Sequence, residues 1–201
     1  WVSPDGIIPP TRFIPVAENS GQIIPIGFSV IDEAAKQLAT WHRQGYKALR
    51  MSVNISPKQF NDDTLVSRIK EALERHSIPP SCFEVEITES VVMDKKEVAV
   101  KVLTELSKMG VKIAIDDFGM GYSSLSQFQH LPIDVLKVDK SFIDDVPEDD
   151  PSVAVTNTII ILAKNLKKSV VAEGVENERQ LQFLRERGCD VIQGYLFGKP
   201  L

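Results

Sequence analysis

Phe83-Glu84-Val85-Glu86-Ile87-Thr88 alternates in polarity, so an extended chain puts its two glutamates on one face and Val85 and Ile87 on the other. An acidic face on a strand bound for a core is costly unless something compensates the charge. Runs of similar length and apolar character recur at 49–55, 111–116, 135–139, 169–173 and 190–196. Helical spacing fills the stretches before and between them, over 22–43, 57–76, 95–109, 123–130, 153–167 and 178–187. Ser56, with Pro57 at the first helical position, and also Asp94 and Asn177 are suited to cap helix starts, while Gly110 and Gly188 follow last turns. Strand and helix alternate throughout. This pattern predicts a parallel α/β sheet, and periodicity fits an open doubly wound sheet as well as a closed barrel.

Each of the six runs carries a polar residue at or near its C-terminal end: Asn54, Glu86, Asp116, Lys137, Glu173 and Gln193. A strand often ends where polarity begins, so one such residue alone says little. A row with one member per strand says more, because sites in such architectures form at that end. Carboxylates converging there would repel one another and lose hydration unless a cation or a lysine stood among them. Lys137 can balance one charge, and Asp117 directly after Asp116 adds a further carboxylate. Oxygen donors of this kind suit a hard cation such as Mg²⁺ or Mn²⁺, and the charge suits two ions. His42, His76 and His130 fall outside the row and read as structural.

The rest of the composition bounds the partners. The 201 residues, 43% hydrophobic and 25% charged, suffice for one globular domain with a sizeable core. A net charge of −5 argues against a DNA or RNA polymer as partner. No apolar run approaches the roughly 20 residues of a membrane helix, which predicts no membrane contact from this chain and a cytoplasmic setting. Cys82 and Cys189 lack a paired or metal-finger spacing and read as buried free thiols.

Several motifs in fixed order resemble one known family. Ser52-Val53-Asn54-Ile55-Ser56, Glu86-Ile87-Thr88-Glu89-Ser90, Ile115-Asp116-Asp117-Phe118-Gly119-Met120-Gly121-Tyr122-Ser123-Ser124-Leu125, Leu136-Lys137-Val138-Asp139, Ala172-Glu173-Gly174-Val175-Glu176 and Gln193-Gly194-Tyr195 look like the successive signatures of bacterial EAL domains. Pro10-Thr11-Arg12-Phe13-Ile14-Pro15-Val16-Ala17-Glu18 matches near the start, and the resemblance covers residues 1–201. It implies a TIM-like (β/α)8 barrel and a metal-dependent phosphodiesterase, a hydrolase that opens cyclic di-GMP to linear pGpG in second-messenger signalling. By that resemblance Asn54, Glu86, Asp116, Asp117 and Glu173 would hold two Mg²⁺ or Mn²⁺ ions. Glu173 would be the general base and Lys137 would sit by the nucleophilic water and phosphate, with Asp117 also in the catalytic set. Gln193 would complete the shell around the substrate, and Glu89 would hold the loop containing Gly119 and Gly121. Homodimers are common in the family, and the 119–125 segment is where one would form.

The resemblance also shows departures. Trp1 closely follows, in the family, the Glu-Ala-Leu motif whose glutamate is a metal ligand; the expectation is that this motif and the first two barrel strands lie upstream of Trp1 in a longer signalling protein, which a membrane anchor could hold. Met120 stands where threonine is usual and loses the hydroxyl's hydrogen bond. The alternative function is a cyclic di-GMP receptor or regulatory interaction module without turnover, against which stands the presence of Asn54, Glu86, Asp116, Asp117, Lys137 and Glu173.

Overall fold

The computed structural model describes residues 1–3, 6–94, 96–120, 128 and 130–199. Two compact bodies divide the chain: Trp1–Val85 with Lys108–Val111, and Glu86–Ser107 with Lys112 onward.

The first body opens on a short antiparallel pair, β1 (Val2–Ser3) and β2 (Gly6–Ile7), then α1 (Pro10–Ser20), α2 (Ile23–Arg43) and β3 (Met51–Asn54). It continues through α3 (Pro57–Phe60), α4 (Leu65–His76) and the first half of β4 (Phe83–Thr88), which neighbours β3. Helix α1 was not legible from spacing, since prolines flank and interrupt it; Pro10 occupies the first turn, where its missing N–H costs nothing, and Pro15 removes only one ladder bond. In α2 the residues Ile23, Gly27, Ile31, Ala35 and Leu38 form a buried stripe that packs against α4, whose own stripe is Leu65, Ile69, Ala72 and Leu73.

The single helix expected over 57–76 is two. Asp62 Oδ1 accepts both the N–H (2.8 Å) and the hydroxyl (2.5 Å) of Thr64, a local turn that competes with the helical ladder. Ser56 caps α3 as its sequence suggested, in a reciprocal capping box with Gln59. Gln59 is buried against Gly27, where an added Cβ would lie 2.0 Å from Gln59 Nε2. Gly27→Ala is therefore expected to destabilise the protein by about 1–3 kcal/mol through overpacking; an unchanged melting temperature would show that Gln59 can move aside. His42 donates to Leu49 O at 3.0 Å and His76 lies 3.2 Å from Asp32. Both cysteines are free, but each is only partly buried, which corrects the expectation of fully buried thiols.

The second body runs from the end of β4 through α5 (Glu89–Asp94), α6 (Lys96–Met109), β5 (Lys112–Phe118), β6 (Val135–Val138), α7 (Lys140–Ile143), α8 (Asp150–Asn165), β7 (Ser169–Ala172) and α9 (Glu178–Glu186) to β8 (Val191–Ile192). Strands β5 to β8 are parallel neighbours in chain order, and the end of β4 precedes them. All four residues of β6 are buried, as expected for a strand covered on both faces. Two aspartates set the strand starts. Asp134 accepts the N–H of Ile113 at 3.0 Å, and Asp190 that of Val170 at 2.8 Å, each tying the entry to a strand to the beginning of its neighbour. Asn177 caps α9, and Asp94, expected as a cap, is the last residue of the short helix α5; the residue after it lies outside the described ones, and with it the test of that cap. Gly110 and Gly188 take the left-handed backbone their helix-ending positions require. The helix expected at 123–130 and the glycine at 121 fall outside the described residues, apart from Phe128 and His130.

Candidate active site

Strand alternation and a common parallel direction bring four side chains of the second body to one point. Lys137, third residue of β6, is 4% exposed. Its ammonium Nζ lies 2.7 Å from Glu86 of β4, 3.0 Å from Asp116 of β5 and 2.7 Å from Glu173, the residue after β7. Three carboxylates thus face one buried cation. Burial alone would lower the Lys137 pKa; the hydrogen bonds to Glu173 and Glu86 outweigh it and hold the ammonium above its ordinary value. Burial pushes Glu173 above the usual carboxylate range, against the pull of Lys137. The site remains short of positive charge.

Adjacent residues on a regular strand point to opposite faces, so Asp116 and Asp117 would not share a site without a distortion. One is present. Ile115 pairs with Leu136 and Phe118 with Val138, leaving both aspartates opposite Lys137 alone. This is a β-bulge, and Asp117 within it has φ +53°, the left-handed region, which costs a non-glycine residue on the order of 1 kcal/mol. The bulge turns Asp117 toward Asp139, the N-cap of α7, and the two carboxyls share a hydrogen bond. Burial, then the Asp116 charge, raises Asp117. For Asp139 burial is outweighed by hydrogen bonds from the Ser141 hydroxyl and N–H, so its pKa falls. Of the two, Asp117 is thus the carboxyl held to its proton more strongly. Asp139 had no assigned role in the sequence reading; its place two residues beyond Lys137, ahead of a polar Lys-Ser pair, was the available signal.

A folded group with a raised pKa contributes stability below its unfolded value and loses it as pH rises through the folded value. Asp117 behaves in this way. Asp117→Asn, an amide that tolerates left-handed backbone, is thus expected to gain thermal stability relative to the unsubstituted protein, in chelator, as pH rises above the ordinary aspartate value of about 4. A melting-temperature difference that stays flat as pH rises would contradict the raised Asp117 pKa.

Of the remaining residues singled out, Glu89 is buried at the start of α5 and its Oε2 accepts the N–H of Gly119 at 2.9 Å. Gly119 has φ +102°, and a Cβ there would stand 3.1 Å from both Ile159 and Phe142. Gly119→Ala is expected to be strained on both counts and to weaken the Glu89 contact, lowering the melting temperature by several degrees; no change would show that the turn relaxes. Gln193 follows β8, exposed, and borders a pocket of about 250 Å³ with Glu173, Lys140, Glu176 and Tyr195. Asn54 closes β3 in the first body and is exposed. Met120 is exposed, its sulfur 3.4 Å from Ser141 Oγ, whose proton goes to Asp139. Among the described residues no group of three or more His, Cys, Asp or Glu side chains is arranged to hold a metal ion; Glu86, Asp116 and Glu173 all turn toward the ammonium instead. Among the same residues, no helix is long and apolar enough to cross a membrane.

Known proteins resemble the chain over its whole length. The family model described as "EAL domain" matches residues 1–200. The signaling protein YkoW of Bacillus subtilis is 48% identical over 201 residues, all of this chain and 25% of that protein. The bifunctional diguanylate cyclase/cyclic di-GMP phosphodiesterase MucR of Pseudomonas aeruginosa is 42% identical over all of this chain and 30% of its own length. The cyclic di-GMP phosphodiesterase PdeR of Escherichia coli is 40% identical with the same coverage. The chain therefore spans a quarter to a third of these relatives. Among solved structures, the PaMucR phosphodiesterase in complex with c-di-GMP superposes with a TM-score of 0.97 at 42% identity, covering all of this chain and 82% of that one. The fold is α/β of the TIM-like barrel class, and the chain belongs to the EAL domain family.

Proposed function

We propose that this chain is the catalytic region of a metal-dependent phosphodiesterase that hydrolyses cyclic di-GMP to linear pGpG. The observation that carries the reading is the buried ammonium of Lys137 with Glu86, Asp116 and Glu173 around it, on a face where Asp117 and Asp139 add two more carboxyls. A structural salt bridge needs one carboxylate; this excess of buried negative charge suits a site built for added cations. The relatives named as cyclic di-GMP phosphodiesterases support the substrate.

The all-oxygen donor chemistry suits hard divalent cations, Mg²⁺ or Mn²⁺, which Glu86, Asp116 and Glu173 would hold, together with Asp117, by turning from the Lys137 ammonium. Bound there, two such ions supply a water of lowered pKa and neutralise charge on the phosphoryl oxygens. The chain's own residues do the rest. Glu173, its pKa raised by burial, accepts the proton of the attacking water, since a base is most effective when its pKa approaches the working pH. Lys137 stays charged because its pKa is raised; it orients Glu173 and offsets charge on the phosphate. Glu89 fixes the backbone at Gly119, beyond the two aspartates, and Gln193 with the neighbouring Tyr195 lines the mouth where the dinucleotide enters.

The test is incubation of the intact protein with cyclic di-GMP and Mn²⁺, followed by chromatography. The expected result is linear dinucleotide that disappears with chelator. Tight binding without product, under the same conditions, would overturn the enzymatic reading in favour of a receptor.

A further inference from the structure

Gln180, in the first turn of α9, is 2% exposed, and both ends of its carboxamide are occupied. Its Oε1 accepts the N–H groups of Glu176 at 2.8 Å and Asn177 at 3.2 Å. Its Nε2 donates to Ile143 O at 3.0 Å and Asp144 O at 3.2 Å, at the end of α7 and 36–37 residues away in sequence. The first pair holds the loop that leaves β7 through Glu173. The second holds the segment that leaves β6 through Lys137 and Asp139. One buried side chain thus clamps together the outward continuations of the two strands whose ends bring Lys137 and Glu173 within 2.7 Å.

The bland explanation is that Gln180 merely starts its own helix, as the third-position partner of the Asn177 cap. Gln59 provides the comparison within the same protein. It fills the same capping-box position in α3, yet its buried Nε2 has no hydrogen-bond partner among the described residues. A capping box therefore requires only the oxygen. The two bonds from Gln180 Nε2 serve something else, and so does the bond from Glu176 N, which lies outside the cap. A second bridge spans the same gap: Lys140 Nζ contacts Asp144 and lies 2.9 Å from Glu176. The Lys140 stem also packs where Gly174 lacks a side chain, since a Cβ on Gly174 would come within 2.3 Å of Lys140 Cγ.

We propose that Gln180 is a positioning residue for the phosphodiesterase site, its carboxamide fixing the Glu173 loop against the segment that follows Lys137. The inference rests on the function proposed above. Like charge from Asp116 and Glu86 pushes on Glu173, and beside the Lys137 ion pair a loop anchored on its far side resists that push. Errors of about 1 Å in such placement cost on the order of 100-fold in rate.

The decisive variant is Gln180→Glu. Glutamate is an ordinary capping-box residue, so α9 keeps its start, while the donor that reaches Ile143 and Asp144 is lost. The expected result in the intact protein is a 10- to 100-fold fall in kcat with the KM for cyclic di-GMP within threefold, and about tenfold weaker Mn²⁺ binding by calorimetry. Gln180→Met removes both halves of the clamp and should do at least as much. Gln182→Met, an exposed neighbour on the same helix, should change neither quantity. A lowered melting temperature with kcat and Mn²⁺ affinity unchanged in Gln180→Glu would reduce Gln180 to a structural role and overturn the proposal. If the unsubstituted protein yields no linear product, the functional reading falls, and the Mn²⁺ affinities still decide whether Gln180 positions Glu173.

Discussion

Lys137→Met is expected to abolish turnover and to destabilise the metal-free protein together. The substitution keeps the length of the side chain and removes the one cation that, among the described residues, pairs with Glu86, Asp116 and Glu173. One buried and two partly buried carboxylates left facing one another carry the penalty of an ion pair broken from one side, about 3–5 kcal/mol. In a chain of this length that lowers the melting temperature by roughly 10 °C. Loss of charge stabilisation at the phosphate and of orientation of the base adds a fall in kcat on the order of 100- to 1,000-fold. Mn²⁺ should recover part of the stability and little of the rate, because added cations can replace the charge but not the hydrogen bond to Glu173. Calorimetric melting with and without chelator, beside a product assay, reads both. Retention of the melting temperature in chelator would mean that the carboxylates part or protonate at little cost, and the charge argument for the site would fail.

Glu173→Gln separates chemistry from binding. The amide can still accept from Lys137 and keeps the shape of the loop, yet it cannot take a proton from water. A loss of general-base catalysis is worth 100- to 10,000-fold in kcat, and a fall of that size is expected while cyclic di-GMP binding, followed by calorimetry, weakens by no more than a few fold. If turnover survives within threefold, the base is another group, with Asp117 the next carboxyl to test. A protein that binds the dinucleotide equally well before and after substitution, and turns over in neither form, is a receptor.

The parallel α/β alternation could be read from apolar runs and helical spacing because each run sits between clear start and stop signals, such as Ser56-Pro57 and Asn177. The structure departs from that reading where local chemistry competes with periodicity. Asp62 and Thr64 break one expected helix into two, and α1 forms despite its prolines. The strand-end row was legible residue by residue, since polarity at the end of an apolar run is visible in one dimension. Its charge balance was legible only as a need for compensation, which Lys137 meets in part.

The Asp116-Asp117 pair marks the boundary between the two levels. Sequence determines that two carboxylates stand side by side after an apolar strand, and by period-two alternation they should diverge. Tertiary structure decides otherwise: β6 offers one residue against two, the surplus is absorbed as a bulge, and Asp117 swings into left-handed backbone beside Asp139. The same holds for Gln180, whose capping-box place is evident from Asn177 three residues earlier, but whose second pair of bonds depends on where α7 ends. Local pattern dictates which residues are available at each strand end. Register and packing between distant segments dictate which of them meet, because hydrogen-bond geometry and burial are set by neighbours that lie far away along the chain.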